Sequence, residues 1–481
     1  MNLRVITKNI GLALLLDAGF MLLSALVAAV NNFDSSFSPL LLSGILTLTV
    51  GILPIIFVEH DQNTISTREG FTILFFAWFL SCVFGMMPYA LWGGEFSLVN
   101  SWFESVSGFT TTGATILNNI EALPKGLLFW RSATHFIGGL GVVVFMLVIL
   151  PSSGSIRLKM SHIEVSDMSA GNYNFRSNKL VRVVLSVYLT MIAAAVVLYV
   201  IGGMPLFDAV NHAFSVVATG GFSTRNASIG AYGSHWIELI SVFFMIVSSL
   251  HYGLLYTSIV GKSTKLFRNP IVKFFLFSLL VGVVLVSASL IANHQFDNPL
   301  EAVWQALFNV VSIGTSTGFA TVDTSVWPVF TIFMLLYFSV QCGCSGSTSG
   351  GLKADRVWVL AKALKAQIIR TIYPNAVIPV KFGSAVADSE QIGSVALYTI
   401  LYVVIIIICA LVYAACGMDM TDSFTSSVAM VGNIGPAFGS VGSLSNFDAV
   451  STFAKVVMGF EMIVGRLGLY AALSMVVRKK L

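Results

Sequence analysis

The sequence predicts an all-α polytopic membrane protein built on a fourfold internal repeat. Three observations predict it. The 481-residue chain is 56% hydrophobic and only 10% charged, where a soluble domain carries about 25% charged residues. Many windows hold the roughly 20 apolar residues that a helix needs to cross a bilayer, and runs such as 395–415 do not alternate as the ~10-residue strands of an outer-membrane barrel would. Four times, a short polar run ends on a glycine between two long apolar segments: Thr110-Thr111-Thr112-Gly113, Ala218-Thr219-Gly220-Gly221, Thr315-Ser316-Thr317-Gly318 and Gly432-Asn433-Ile434-Gly435. The final glycines are 108, 97 and 117 residues apart.

The elements follow in order. Arg4 and Lys8 precede an apolar stretch from Ile10 to Val30. That stretch exceeds the 7–15 residue core of a signal peptide, so a first spanning helix is expected over 9–30, with Asp17 packed against polar neighbours. Further spans are expected near 38–58, 70–93, 128–151, 180–202, 236–260, 271–293, 327–341 (continuing past a break to about 370), 392–416 and 451–477. The stretches 97–112, 205–220, 299–317 and 421–434, each ending at or beside a glycine run, are too short to cross and read as re-entrant helices.

Charge tests this layout. With the N-terminus inside, 21 of the 26 lysines and arginines fall on the cytoplasmic side, as the positive-inside rule requires. Lys125, Arg131, Arg225 and Lys455 lie toward the outside, and Arg466 lies mid-segment. If any glycine run crossed the membrane, every later loop would change sides and the bias would collapse. Twelve acids, Glu104, Asp208 and Asp422 among them, fall outside. A negative outer mouth concentrates cations; the plainer reading is that acidic loops keep that face soluble.

The glycine runs suit a cation. A dehydrating ion needs close oxygen ligands, which backbone carbonyls supply if the chain can turn them all inward. That geometry favours glycine, because a Cβ obstructs the required dihedrals. Neighbouring threonine and serine add hydroxyl oxygens. Irregular backbone at membrane depth is tolerated only where it lines a cavity or is buried in protein. Short helices whose C-termini point at the centre also favour a cation there. The four runs share a register: Ser107, Ser215, Ser312 and Ala429 stand six residues before the glycine, and Thr115, Ser223, Ala320 and Ala437 two after it, as in diverged repeats.

A second feature is Cys342-Gly343-Cys344-Ser345-Gly346-Ser347-Thr348-Ser349-Gly350-Gly351. The 15 residues from Trp327 to Gln341 rise only ~22 Å as a helix, so this break is expected within the membrane, beneath the third glycine run and beneath that run alone. Four glycines and four hydroxyl residues can bend and bond to themselves; the segment reads as a movable loop that blocks a pore, or as a kink or cytoplasmic turn. Arg466 carries a charge at a depth where charges are expensive and face cavities or partners. It reads either as a barrier below the glycine runs that touches this loop, or as the partner of Glu461.

Other chemistries find little support. The cysteines Cys82, Cys342, Cys344, Cys409 and Cys416 are too few for a disulfide framework, and Cys342-Gly-Cys344 has the wrong spacing for a zinc knuckle. An enzyme would need converging acids and histidines, and Asp17, Glu461, His135, His212 and His251 are scattered. No G-x-x-x-x-G-K-[ST] phosphate loop occurs, and nothing points to an organic cofactor or to nucleic acid.

The motifs Ser107-Gly-Phe-Thr-Thr-Thr-Gly-Ala-Thr115, Ala218-Thr-Gly-Gly-Phe-Ser-Thr224, Gly314-Thr-Ser-Thr-Gly-Phe-Ala-Thr321 and Gly432-Asn-Ile-Gly-Pro-Ala-Phe-Gly439 resemble those of the Trk/Ktr/HKT superfamily of potassium transporters, most closely its TrkH branch. So do Trp130-Arg131, Phe136-Ile-Gly-Gly-Leu-Gly141 and Leu150-Pro151. The resemblance spans essentially the whole chain. It implies four M1–pore helix–M2 repeats around one central pore, over 61–165, 166–265, 266–385 and 386–481. Two extra N-terminal transmembrane helices over 1–60 precede them. It implies that the sixteen residues of the four runs bind potassium as a filter. Gly343, Gly346, Gly350, Gly351 and Arg466 would form the gate, with 342–351 as an intramembrane gating loop. Glycine at all four key positions goes with potassium selectivity in this superfamily, and serine at the first with sodium-conducting relatives. The fourth run departs most, since Asn433-Ile434 brings no hydroxyl and Pro436 follows the glycine; it is expected to contribute backbone oxygens only. The resemblance further implies gated potassium uptake across the bacterial inner membrane, both termini cytoplasmic, a homodimer in the lipid bilayer, and TrkA-type cytosolic RCK subunits that bind NAD(H), ATP or ADP. The alternative is an ion-coupled (proton or sodium) cation symporter of the same fold. Carriers usually show inverted repeats, whereas these repeats share one orientation.

Overall fold

The computed structural model describes residues 2–58, 67–149, 177–261, 264–375, 378–382 and 385–474. Most of the expected cytoplasmic stretch 152–180, Pro151 and the basic C-terminal Arg478, Lys479 and Lys480 lie outside the described residues. Two helices open the chain, α1 (Leu3–Val30) and α2 (Phe37–Phe57). They pack along one another through facing glycines: a Cβ on Gly11 would lie 2.6 Å from the Gly51 carbonyl oxygen. Such small-residue contacts substitute for the hydrophobic driving force that lipid removes. Next come α3 (Thr67–Gly85), α4 (Met87–Trp92), α5 (Leu98–Phe109) and α6 (Lys125–Ile149). Asp17 is buried in α1 and accepts from Ser81 Oγ of α3 at 2.6 Å, the polar packing expected of it.

The chain continues with α7 (Ser177–Ile201), α8 (Leu206–Val217), α9 (His235–Ser248), α10 (Tyr252–Ile259), α11 (Lys265–Arg268), α12 (Pro270–Ala292), α13 (Pro299–Gly314), α14 (Val329–Gln341) and α15 (Ala354–Ile372). Two three-residue strands, β1 (Val380–Phe382) and β2 (Ala385–Ala387), pair antiparallel with Val380 opposite Ala387. Then follow α16 (Ser389–Ala415), α17 (Met420–Gly432), α18 (Thr452–Leu467) and α19 (Leu469–Ser474).

Six described helices are long and apolar enough to cross a membrane, seven if the bent pair α9–α10 counts as one span. The chain is a multi-pass membrane protein. In the most apolar window, within α16, only 17% is buried, and Leu397, Ile400, Ile408 and Leu411 are exposed along it, which suits a lipid-facing surface.

Two expected continuous elements are interrupted. The span expected over 236–260 bends by 105° between α9 and α10. Its second half starts afresh at His251, whose Nδ1 accepts from the backbone N–H groups of Gly253 and Leu254, a side-chain cap that closes a new helix start. The span expected over 451–477 breaks at Gly468, φ +83°. The span expected over 70–93 holds as one apolar helix long enough to cross, Arg68–Trp92, with only a local turn at Met86 between α3 and α4. The break after Gln341 therefore has counterparts after the second and fourth glycine runs, and the expectation of one break beneath the third alone is corrected.

The short helices α5, α8, α13 and α17 end at the four glycine runs. Each packs against the long helix that follows another run: α6 against α8, α9 against α13, α14 against α17 and α18 against α5. The four contacts form a closed circuit in chain order.

Candidate functional site

The four glycine runs adopt one backbone conformation. Two residues before each glycine stands a non-glycine residue in the left-handed region: Thr111 (φ 52°), Thr219 (φ 53°), Ser316 (φ 57°) and Asn433 (φ 52°). The glycines follow at φ 83°, 84°, 81° and 93°. The residue between donates its N–H five residues back, Thr112 to Ser107 O, Gly220 to Ser215 O, Thr317 to Ser312 O and Ile434 to Ala429 O, at 2.8–3.0 Å. This bond accounts for the shared register at Ser107, Ser215, Ser312 and Ala429. A β-branched residue at positive φ is a true outlier, so surrounding structure holds Thr111 and Thr219 there at a cost of roughly 1–3 kcal/mol each.

The runs meet in a ring. A Cβ on Gly113 would fall within 2.5 Å of Gly220 O, one on Gly221 likewise of Thr317 O, one on Gly318 of Ile434 O and one on Gly435 of Thr112 O. Each glycine abuts the carbonyl that precedes the next glycine, and the fourth returns to the first. All sixteen expected residues lie in this ring; Thr110, Ala218, Thr315 and Gly432 stand at its helix ends, and all but three of its glycines are buried.

Acids and amides behind the ring brace it. Glu104 of α5 accepts from Thr115 Oγ1 (3.0 Å), from Ile116 N (3.1 Å) and from buried Arg131. Arg131 donates to Ser223 O at 3.0 Å, and its guanidinium carbon lies 3.7 Å from the Phe222 ring centre. Asp208 accepts from Thr224 and Arg225. His212 lies between Asp208 O and Ser223 Oγ. Asn309 donates to Thr321 Oγ1. Asp422 accepts from Ser440 N and Ser440 Oγ. In each quarter the short helix is tied to the segment leaving the ring. Glu104, Asp208 and Asp422 thus face inward as braces, a correction to their reading as members of a negative mouth. A cavity of about 90 Å³ lies on the exit side, with Asn118, Asn226 and Asn446 in its wall and no carboxylate.

On the other side sits the loop 342–351, almost wholly buried. Gly350 N donates to Ser316 Oγ at 2.8 Å, and Ser316 and Ser349 share a hydroxyl bond of 2.9 Å. Gly350 also lies so close to Gly432 O that a Cβ would clash. The loop docks onto the α9–α10 break, where Cys344 N donates to Ser249 O and Tyr252 N to Gly346 O, and onto the end of α8, where Thr348 Oγ1 donates to Val217 O. Gly346 is at φ +74° against the His251 ring; Gly343 and Gly351 pack against Ser349 and Cys342 within the loop. Arg466 donates to Thr348 O (2.7 Å) and to Gly138 O (3.2 Å). Glu461 instead accepts from Tyr413 and Ser427, so the alternative of an Arg466–Glu461 pair is not what forms.

The sequence did not single out Asp355 and Lys353. Asp355 accepts from Ser345 N at 2.6 Å, and Lys353 donates to Ser349 O. An acid in the first turn of the helix leaving a Gly/Ser loop was the available signal.

This geometry has known counterparts. The TrkH family model, described as a cation transport protein, matches residues 39–480. The Trk system potassium uptake protein TrkH of Salmonella typhimurium is 32% identical over 476 residues, 98% of each chain, and TrkG of Escherichia coli K12 is 34% identical, covering 84% of this chain and 83% of that protein. The crystal structure of the potassium transporter TrkH from Vibrio parahaemolyticus superimposes with a TM-score of 0.90 at 30% identity, covering 99% of each chain. The chain belongs to the TrkH family of potassium uptake transporters, transport proteins and not enzymes.

Proposed function

We propose that this chain admits potassium across the bacterial inner membrane through a gated, channel-like pore. The ring of four glycine runs is its selectivity filter, at the centre of four M1–pore helix–M2 repeats over 61–165, 166–265, 266–385 and 386–481, with the pair in 1–60 outside them. The observation that carries this reading is the cyclic abutment of Gly113, Gly221, Gly318 and Gly435 on the carbonyls of Gly220, Thr317, Ile434 and Thr112. A ring of backbone carbonyls replaces an ion's hydration shell. Lipid surrounds the bundle, and both termini are cytoplasmic.

The loop 342–351 with Gly343, Gly346, Gly350 and Gly351 is the gate. Its hydrogen bonds to Ser316 of the third run support that role, and Arg466 holds its Thr348 carbonyl as an electrostatic barrier. The relatives are named as parts of a Trk system, so regulation falls to a TrkA-type cytosolic partner that binds NAD(H), ATP or ADP, acting on a homodimer. Fluxes of potassium, rubidium and sodium in liposomes, compared for wild type and Gly113→Ser, test the filter. The substitution is expected to lower the potassium-to-sodium ratio; an unchanged ratio and flux would refute the assignment. Deleting part of 343–351 is expected to raise basal flux, and a folded variant with unchanged flux counts against a blocking loop.

A further inference from the structure

Asn433 takes the place held in the other quarters by Thr111, Thr219 and Ser316, yet its side chain behaves differently from all three. Thr219 Oγ1 donates to the adjacent Ala218 O. Ser316 bonds to the loop. Thr111 Oγ1 is buried with no hydrogen-bond partner among the described residues. The Asn433 amide instead reaches across the ring: Nδ2 donates to Thr112 Oγ1 of the first quarter at 3.0 Å and to Met462 O of α18 at 3.0 Å, with Met430 O at 3.4 Å. Two of these three acceptors are carbonyls, which cannot donate, so the amide orientation is fixed by its neighbours.

The bond extends into a directed chain. Thr110 Oγ1 donates to Val106 O at 2.7 Å and lies 2.8 Å from Thr112 Oγ1. With the Thr110 proton on Val106, the Thr112 hydroxyl must give its own proton to Thr110 and accept from Asn433. Asn433, Thr112, Thr110 and the last turn of α5 therefore form one buried relay, and hydrogen bonds in such chains strengthen one another. The third quarter repeats the Thr315–Thr317 pair at 2.8 Å, and among the described residues no side chain of the preceding quarter donates to it. The other positions matching Thr112 are Gly220 and Ile434, which offer no side-chain acceptor. Among these positions the fourth-to-first seam alone carries a side-chain tie.

We propose that Asn433 is a positioning residue that sets ion preference by fixing the Thr112 carbonyl, which abuts Gly435, relative to α18. The inference rests on the filter reading above. The fourth run, poorest in hydroxyls, thus adds a side-chain tie to the first quarter beside the backbone oxygens expected of it. Loss of the tie frees the Thr112 carbonyl to move, and a filter with one loose carbonyl discriminates less sharply between cations of different size.

The test uses the full chain in liposomes, with potassium, rubidium and sodium fluxes measured in parallel. Asn433→Ser keeps a small polar residue but cannot span to Thr112; Thr112→Val keeps the shape of Thr112 and removes only the hydroxyl. Each is expected to lower the potassium-to-sodium ratio by about fivefold, the scale of one buried hydrogen bond, and the double variant by no more than either alone. Thr112→Ser, which keeps the hydroxyl, is expected to restore the ratio relative to Thr112→Val. A wild-type protein that prefers potassium, with both single variants unchanged or with effects that add in the double variant, overturns the inference. A wild-type protein with no preference for potassium strikes instead at the filter reading. If Asn433→Ser fails to fold, the Thr112→Val and Thr112→Ser pair still decides, since Thr112→Val keeps the side-chain volume behind the ring and Thr112→Ser keeps the hydroxyl.

Discussion

Ser316 and Asn433 occupy the same place in the third and fourth quarters of the ring, at φ 57° and 52°, two residues before glycines at φ 81° and 93°. Their backbones are interchangeable and their side chains are not. Ser316 turns toward the loop and bonds to Ser349 and Gly350; Asn433 turns sideways and bonds to the first quarter and to α18. A short hydroxyl satisfies only what lies directly against it, while the longer amide spans a seam and presents two donor hydrogens. The same backbone thus ties to the loop on one side of the ring and to a neighbouring quarter on the other. The difference teaches that fourfold backbone symmetry here is a scaffold on which unequal side-chain tasks are distributed.

The comparison predicts its own largest effect at the glycines. A Cβ on Gly318 would come closer to Ile434 O than one on Gly435 to Thr112 O, and both would lie well inside contact distance at positive φ. Gly318→Ser is therefore expected to lower the potassium-to-sodium flux ratio by ~10-fold or more, the scale of 1–3 kcal/mol of backbone strain, and Gly435→Ser to do so less. Equal ratios for the two variants, measured as ion fluxes in liposomes, would break the ordering. An unchanged ratio in Gly318→Ser would show that the third quarter does not face the ion.

How much of this was legible in the sequence divides along the same line. The glycines were legible because positive φ is a local demand that glycine meets without strain, and the spacing of Ser107, Ser215, Ser312 and Ala429 was legible because each closes a turn only five residues long. The polar packing of Asp17 followed from the elementary cost of burying a polar group. What the sequence hid depends on approach between distant segments. Nothing local marks Glu104 as a brace for Thr115, since its carboxylate looks like any outer-loop acid until the chain after the ring folds back on it. The break at Ser249-Leu250-His251 lacks glycine and proline, and its signals were only a serine pair, a recognised site of kinks, and a histidine able to cap. Asn433 looked like a lost hydroxyl because its partner stands 321 residues away.

Asp355 accepts from Ser345 N at 2.6 Å from the first turn of α15, so the helix that leaves the loop also holds the start of it. Asp355→Asn keeps the shape but removes the charge from a charge-assisted bond worth about 1.5–3 kcal/mol. Basal potassium flux in liposomes is expected to rise by about tenfold, with the potassium-to-sodium ratio unchanged, because the ring itself is untouched. A rise in flux with a collapsed ratio would place Asp355 in the support of the filter instead.

Ser316→Ala yields the smallest effect and the most direct test of the division between the two quarters. The alanine keeps the backbone conformation accessible to a small residue and removes one hydroxyl that both accepts from Gly350 N at 2.8 Å and pairs with Ser349 Oγ at 2.9 Å. Ser349 retains its bond to Gly343 N at 2.9 Å, and Arg466 still holds Thr348 O, so the loop loses one anchor of several. Basal flux is expected to rise by about threefold to fivefold, the scale of one neutral hydrogen bond, without the change in ion ratio expected of Asn433→Ser. Measured side by side in liposomes, the two variants should separate flux from preference: Ser316→Ala moves the first and Asn433→Ser the second. If Ser316→Ala shifts the ratio and leaves flux alone, the αL side chain of the third quarter supports the ring rather than the loop, and the two quarters differ in partner but not in task.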